Sequence, residues 1–170
     1  LGTASVVLDG GATVAALVVV NAVGSAVDPR TGVPHGVRAG LAGEFPPLDV
    51  DVAALRMPAA APVPGTATTL AVVATDVTLD KAGCGRLAAM GHDGLARAIC
   101  PVHTVMDGDA VFGLSTAGRP VPDLAELFAV QAAAADVVSR AVAHALLSAH
   151  TVTTQGAHTW RSYRDVAGCA

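Results

Sequence analysis

The strongest constraint on this chain's fold is an interruption. Residues 45–67 carry Pro46, Pro47, Pro58, Pro62 and Pro64 among alanines and valines, and the apolar run TTLAVVATD starts directly afterwards at Thr68. Proline donates no backbone hydrogen bond and biases the residue before it away from helix, so no continuous helix or ladder strand crosses this stretch. The core must therefore come from residues on either side, with 45–67 as a linker. Structureless connections this long are uncommon inside compact domains unless they serve a function, and a processing site is one such function.

With 170 residues the chain suffices for one folding unit. Apolar residues make up 52% and aromatics only 3%, so the interior is expected to be tight and valine-rich. Residues 14–20 are uniformly apolar and rich in β-branched side chains, which predicts a strand buried on both faces. Asp9, Gly10 and Gly11 supply turn chemistry before it, giving a hairpin from residues 4–8. Residues 69–75 read as a second buried strand. Thr78 and Asp80 then supply the N-cap and a first-turn negative charge for a helix to about Ile99 that buries Leu79, Leu87, Met90, Leu95 and Ile99. A short strand is expected over 111–115. Asp123 with Glu126 opens a long helix to about Ser148, and residues 151–170 read as irregular. This order predicts a layered α/β architecture without fixing strand order.

Several function classes drop out. The net charge is −4 and the ten lysines and arginines form no dense cluster, so no footprint for nucleic-acid phosphates exists. The longest apolar run, 14–20, is far short of the roughly 20 residues that span a bilayer, and no basic segment precedes it. The expectation is a soluble cytoplasmic protein. Cys84, Cys100 and Cys169 match no zinc or redox spacing and read as reduced structural thiols. The six histidines, His35, His92, His103, His144, His150 and His158, show no metal-ligand spacing. Ser25 and Ser115 lack a nucleophile-elbow context, and no glycine-rich phosphate loop follows a strand. No metal and no cofactor are expected.

Thr68 carries the most specific chemistry. If the bond after Ala67 were cut, Thr68 would become an N-terminal residue whose hydroxyl is the nucleophile and whose α-amine, with a free pKa of about 7.7–8.0, is the base. Before the cut the same hydroxyl can attack the carbonyl of Ala67. The ordinary alternative is a strand-start threonine serving β-propensity alone. Asp107 and Asp109 flank Gly108, and in an extended segment both face one side, one held ionised and the other orienting the amine; the alternative is a solvated Asp-Gly turn. Asn21, at the end of the first buried strand, can donate to an oxyanion or simply bond nearby backbone.

With these residues in view, the chain resembles the N-terminal-nucleophile peptidases comprising DmpA-type L-aminopeptidase/D-amidase, β-peptidyl aminopeptidase and nylon-oligomer hydrolase. The likeness rests on VAALVVVNAVGSAVDPRTG (14–32), TTLAVVATDVTLDKAGCGRLAAMGHDGLARAI (68–99), PVHTVMDGDAVFGLSTAG (101–118) and SYRD (162–165). The resemblance implies a four-layer αββα sandwich, here incomplete at the N-terminus, with self-cleavage between Ala67 and Thr68. Residues 1–44 would then close the first subunit region, 45–67 form the linker, and 68–170 form the second.

The resemblance also implies that Thr68 is the nucleophile, Asp107 and Asp109 are the acidic pair, and Asn21 stabilises the oxyanion. The implied partners are a small peptide or amide substrate, a further upstream region of the protein's own chain that supplies a lysine and a tyrosine, and other copies in a homo-oligomer of αβ pairs. Two alternatives accompany this expectation: a threonine-dependent acyl transferase resembling ornithine acetyltransferases, and a non-catalytic or truncated assembly subunit of the same fold.

Overall fold

A computed structural model describes residues 1–55, 67–156 and 159–168. A four-stranded sheet has the order β1 (Gly2–Val7), β2 (Thr13–Val19), β3 (Leu70–Val77), β4 (Ala110–Arg119), with the first two pairings antiparallel and β3–β4 parallel. The expected hairpin is present, closed by the Leu8 amide on the Ala12 carbonyl at 2.8 Å, with Gly11 at φ +81° in the turn. The parallel β3–β4 pair needs a crossover, which α1 (Lys81–Ala98) provides.

Both long helices, α1 and α2 (Leu124–Leu147), pack on one face of the sheet. Val14, Ala16 and Val18 of β2 and Ala71, Val73 and Val77 of β3 meet Leu87 and Leu95 of α1 and Val130, Val137, Val138 and Val142 of α2 in one buried cluster. Close approach replaces bulk where aromatics are scarce. A Cβ on Gly113 of β4 would lie 2.0 Å from the Cys84 carbonyl oxygen of α1, and one on Gly94 of α1 would lie 2.5 Å from that of Ala135 on α2. Either change would force whole elements apart.

The opposite face corrects the expectation of double burial. Leu17 and Val19 are 41% and 44% exposed, because among the described residues the helices cover one side alone. Leu17, Val72 and Phe112 form one row across β2, β3 and β4, and Ala15, Ala74 and Leu114 the next, so this face is apolar over β2 to β4, with Thr3 and Ser5 continuing the two rows on β1. The described residues thus form one sheet layer and one helix layer of a layered α/β fold.

Helix starts depart slightly from expectation. Asp80 alone caps α1, accepting the Gly83 amide at 2.7 Å, whereas Thr78 Oγ1 donates to the Arg119 carbonyl at the far end of β4. Asp123 caps α2 by accepting the Glu126 amide at 2.8 Å. Leu124 and Phe128 keep helical spacing but lie on the exposed side of α2. The tail is more ordered than expected. Strands β5 (Val152–Thr153) and β6 (Thr159–Trp160) pair, and α3 (Tyr163–Ala167) returns the chain to the domain, with Tyr163 Oη donating to the Gly32 carbonyl at 2.8 Å.

Linker residues 56–66 and Cys169 lie outside the described residues. Just before them, Glu44 accepts from Arg140 Nε at 2.7 Å and contacts His144 Nε2 at 2.8 Å, fastening the end of the 1–44 segment to α2. No described helix is long and apolar enough to cross a membrane.

Candidate active site

Strand directions gather the candidate residues at one end of the sheet. β3 and β4 start there, being parallel, and β2 ends there, being antiparallel to β3. Asn21 follows β2, Thr68 precedes β3, and Asp107, Gly108 and Asp109 precede β4. Residues that are far apart in sequence therefore become neighbours through strand pairing.

The bond before Thr68 is held from both sides. The Thr68 amide donates to the Asn21 carbonyl at 2.7 Å, and the Gly108 amide donates to the Ala67 carbonyl at 2.9 Å, extending the parallel pairing as a bridge between Ala67 and Asp107. Thr68 Oγ1 donates to that same Ala67 carbonyl oxygen at 2.8 Å. The carbonyl carbon after which a cut would fall is thus flanked by a hydroxyl and polarised by two donors. Gly108 is needed for space, since a Cβ there would lie 2.9 Å from Thr68 Oγ1, and its backbone is not left-handed.

The two carboxylates serve different partners. Asp107 accepts the Thr104 hydroxyl at 2.7 Å, the Thr104 amide at 3.0 Å and the Val23 amide at 3.2 Å, tying the segment after Asn21 to the loop before β4. These hydrogen bonds, Thr104's hydroxyl first, outweigh desolvation and hold its carboxyl below the usual range. Asp109 is buried, its side chain 1% exposed. One of its oxygens accepts the Thr69 amide at 2.7 Å and the other lies 2.8 Å from His103 Nδ1. Neither carboxylate has the other among its hydrogen-bond partners. Asn21 reaches Thr68 through its main chain.

His103 and its neighbour His92 are the members that sequence reasoning missed. His103 Nε2 lies 3.2 Å from His92 Nδ1 on α1, with the rings edge to face at a centroid distance of 4.8 Å. Burial first, and then the neighbouring His103, push the His92 imidazole below its ordinary range. His103 adopts φ +57°, uncommon outside glycine and relatively tolerated by Asn, Asp and His. The residues between 92 and 103 fit no metal-site spacing, so only tertiary structure reveals the pair. Among the described residues no group of three or more His, Cys, Asp or Glu side chains is arranged to hold a metal ion.

Two solved structures share this arrangement of strands and helices. A beta-aminopeptidase of a Burkholderia species superposes with a TM-score of 0.60 at 25% identity, covering 96% of this chain and 45% of that one. The L-aminopeptidase D-Ala-esterase/amidase of Ochrobactrum anthropi, described as a prototype for the serine aminopeptidases and a variant of the Ntn-hydrolase fold, superposes at 0.59 and 24% identity over 97% and 46% of the two chains. The described part of the chain therefore has the fold of the corresponding part of that Ntn-hydrolase-fold variant. The chain belongs to peptidase family S58, whose sequence model matches residues 1–160. An uncharacterised aminopeptidase of Mycobacterium tuberculosis is 44% identical over 178 residues, covering 95% of this chain and 51% of that protein. The chain spans about half the length of the curated relatives it matches.

Proposed function

We propose that this chain carries the nucleophile of a self-processing aminopeptidase, cut between Ala67 and Thr68, which then hydrolyses small amides through an ester on Thr68. The observation that carries this reading is the convergence of the Thr68 hydroxyl and the Gly108 amide on the Ala67 carbonyl oxygen, at 2.8 and 2.9 Å. Thr68 Oγ attacks the Ala67 carbonyl carbon, the negative charge developing on the oxygen is met by the Gly108 N–H, and the hydroxyl proton passes to the Thr68 nitrogen as the C–N bond breaks. The resulting ester between the Ala67 acyl group and Thr68 Oγ is hydrolysed by water. This leaves the Ala67 carboxylate, a free hydroxyl and a free α-amine beside the Asn21 carbonyl.

In turnover the substrate carbonyl takes the place of Ala67's, and the α-amine accepts the hydroxyl proton. The two products of the cut stay together, because β2 and β3, on opposite sides of it, remain paired from Val14–Thr75 to Val19–Leu70. The names of the structural neighbours suggest substrates with a free amino group next to a small amide or ester, β-amino amides among them. Thr68→Ala is expected to abolish both cleavage and hydrolysis of such amides, and Thr68→Ser to retain both; cleavage persisting in Thr68→Ala, read by denaturing gel and mass, would overturn the assignment.

A further inference from the structure

We propose that His103 is a positioning residue for the cut before Thr68, fixing the Asp109 carboxylate on the Thr69 amide and making the cleavage rate depend on its own protonation. The inference rests on the self-processing reading above and adds a control over it.

The geometry is a directed chain of hydrogen bonds. The Thr69 amide occupies one Asp109 oxygen at 2.7 Å, and His103 Nδ1 sits 2.8 Å from the other. An ionised carboxylate only accepts, so Nδ1 carries the proton, and a neutral His103 then leaves Nε2 free to accept from His92 Nδ1, 3.2 Å away. Both rings are thereby set in the Nδ1–H tautomer. Asp109 is almost wholly buried while His103 is partly open, its side chain 35% exposed, so the imidazole is where solvent protons gain access to the chain.

The charged and titratable groups acting on this pair are Asp107 and Asp109 from the loop before β4, and His92 and Asp93 from α1. Before the cut Thr68 has no α-amine. Histidine is the side-chain type that ordinarily exchanges a proton around neutral pH. With His103 neutral, Asp109 presents its full negative charge to the backbone next to Thr68, favouring proton arrival on the Thr68 nitrogen as it leaves. With His103 protonated that charge is compensated, and cleavage slows. His103 also occupies its left-handed backbone conformation at φ +57°, which asparagine tolerates better than alanine. The asparagine amide nitrogen can replace Nδ1 as a donor to Asp109 but takes up no proton.

Two measurements test this. Cleavage of newly made protein, followed by mass across about pH 5 to 8, should fall on the acid side for the wild type. It should slow about tenfold or more at neutral pH in His103→Ala, as expected for lost positioning, with most of that loss recovered in His103→Asn, whose rate no longer changes over the range. A fall on the acid side persisting in His103→Asn as in the wild type, or wild-type cleavage in folded His103→Ala, overturns the proposal. Nitrogen-15 imidazole spectra of Thr68→Ala protein test it without any cleavage: neutral His103 should carry its proton on Nδ1, and a proton on Nε2 instead overturns it. Cleavage in Thr68→Ala would overturn the nucleophile assignment while leaving the tautomer result standing.

Discussion

Gly108→Ala perturbs the site with almost no chemistry of its own. The added Cβ would lie 2.9 Å from Thr68 Oγ1 and 3.7 Å from the Ala67 carbonyl oxygen, while the backbone at Gly108 already has a conformation open to alanine. The clash is therefore with Thr68 Oγ1, the proposed attacking atom, alone. It can be relieved by a shift of a few tenths of an ångström, or by rotating Thr68 into a rotamer that takes Oγ1 off the Ala67 carbonyl. Misplacing a reacting atom by about 1 Å costs up to ~100-fold in rate, so a shift of a few tenths corresponds to roughly 4- to 10-fold and loss of the rotamer to about 100-fold, or about 0.8–2.7 kcal/mol on the barrier. The assay is the first-order appearance of the species beginning at Thr68 in purified Gly108→Ala protein, with thermal unfolding alongside. Slow cleavage with near-native stability is expected, and the double variant with Thr68→Ala should lose any residual thermal penalty. Cleavage of Gly108→Ala at the wild-type rate would refute the placement of Oγ1 as the attacking atom.

Thr69 offers a contrast with Thr68. Its side chain is fully buried and its hydroxyl lacks a hydrogen-bond partner among the described residues, so Thr69→Val should keep cleavage and gain about 1 kcal/mol, raising Tm by roughly 2–4 °C in calorimetry. Burial opposes the charge of Glu44, yet Arg140, the Leu41 amide and His144 outweigh it and hold the carboxyl at about 2, against an ordinary 4.5. Its contribution is thus present above pH 4.5 and lost as pH falls toward 2. Urea unfolding of the wild type should weaken over that window by roughly 1 kcal/mol more than Glu44→Gln does, a figure discounted for solvent screening of the partly exposed His144 side of the site.

Much of the element order is written locally. The alternation of apolar runs, the caps at Asp80 and Asp123, and the turn at Gly11 all depend on a few neighbouring residues, and the structure places elements where those signals lie. A uniformly apolar run such as 14–20 cannot say whether one face or two are covered, which is why the exposure of Leu17 and Val19 was not legible. The meeting of Asn21, Thr68 and Asp107 to Asp109 depends on strand order, and pattern alone leaves that open; the family likeness supplied those residues instead. His103 and His92 escape both routes. One sits on a helix and the other in a loop, and only the packing of α1 against the entry to β4 brings their rings together.

In the proposed mechanism one bond, between Ala67 and Thr68, is broken by the hydroxyl beside it. Intact-mass analysis of the purified protein, with N-terminal sequencing of the smaller species, tests it without any substrate. Wild-type protein should contain a fragment that begins at Thr68 and is absent from Thr68→Ala. A single uncut species, or a fragment beginning at Thr69, would contradict it.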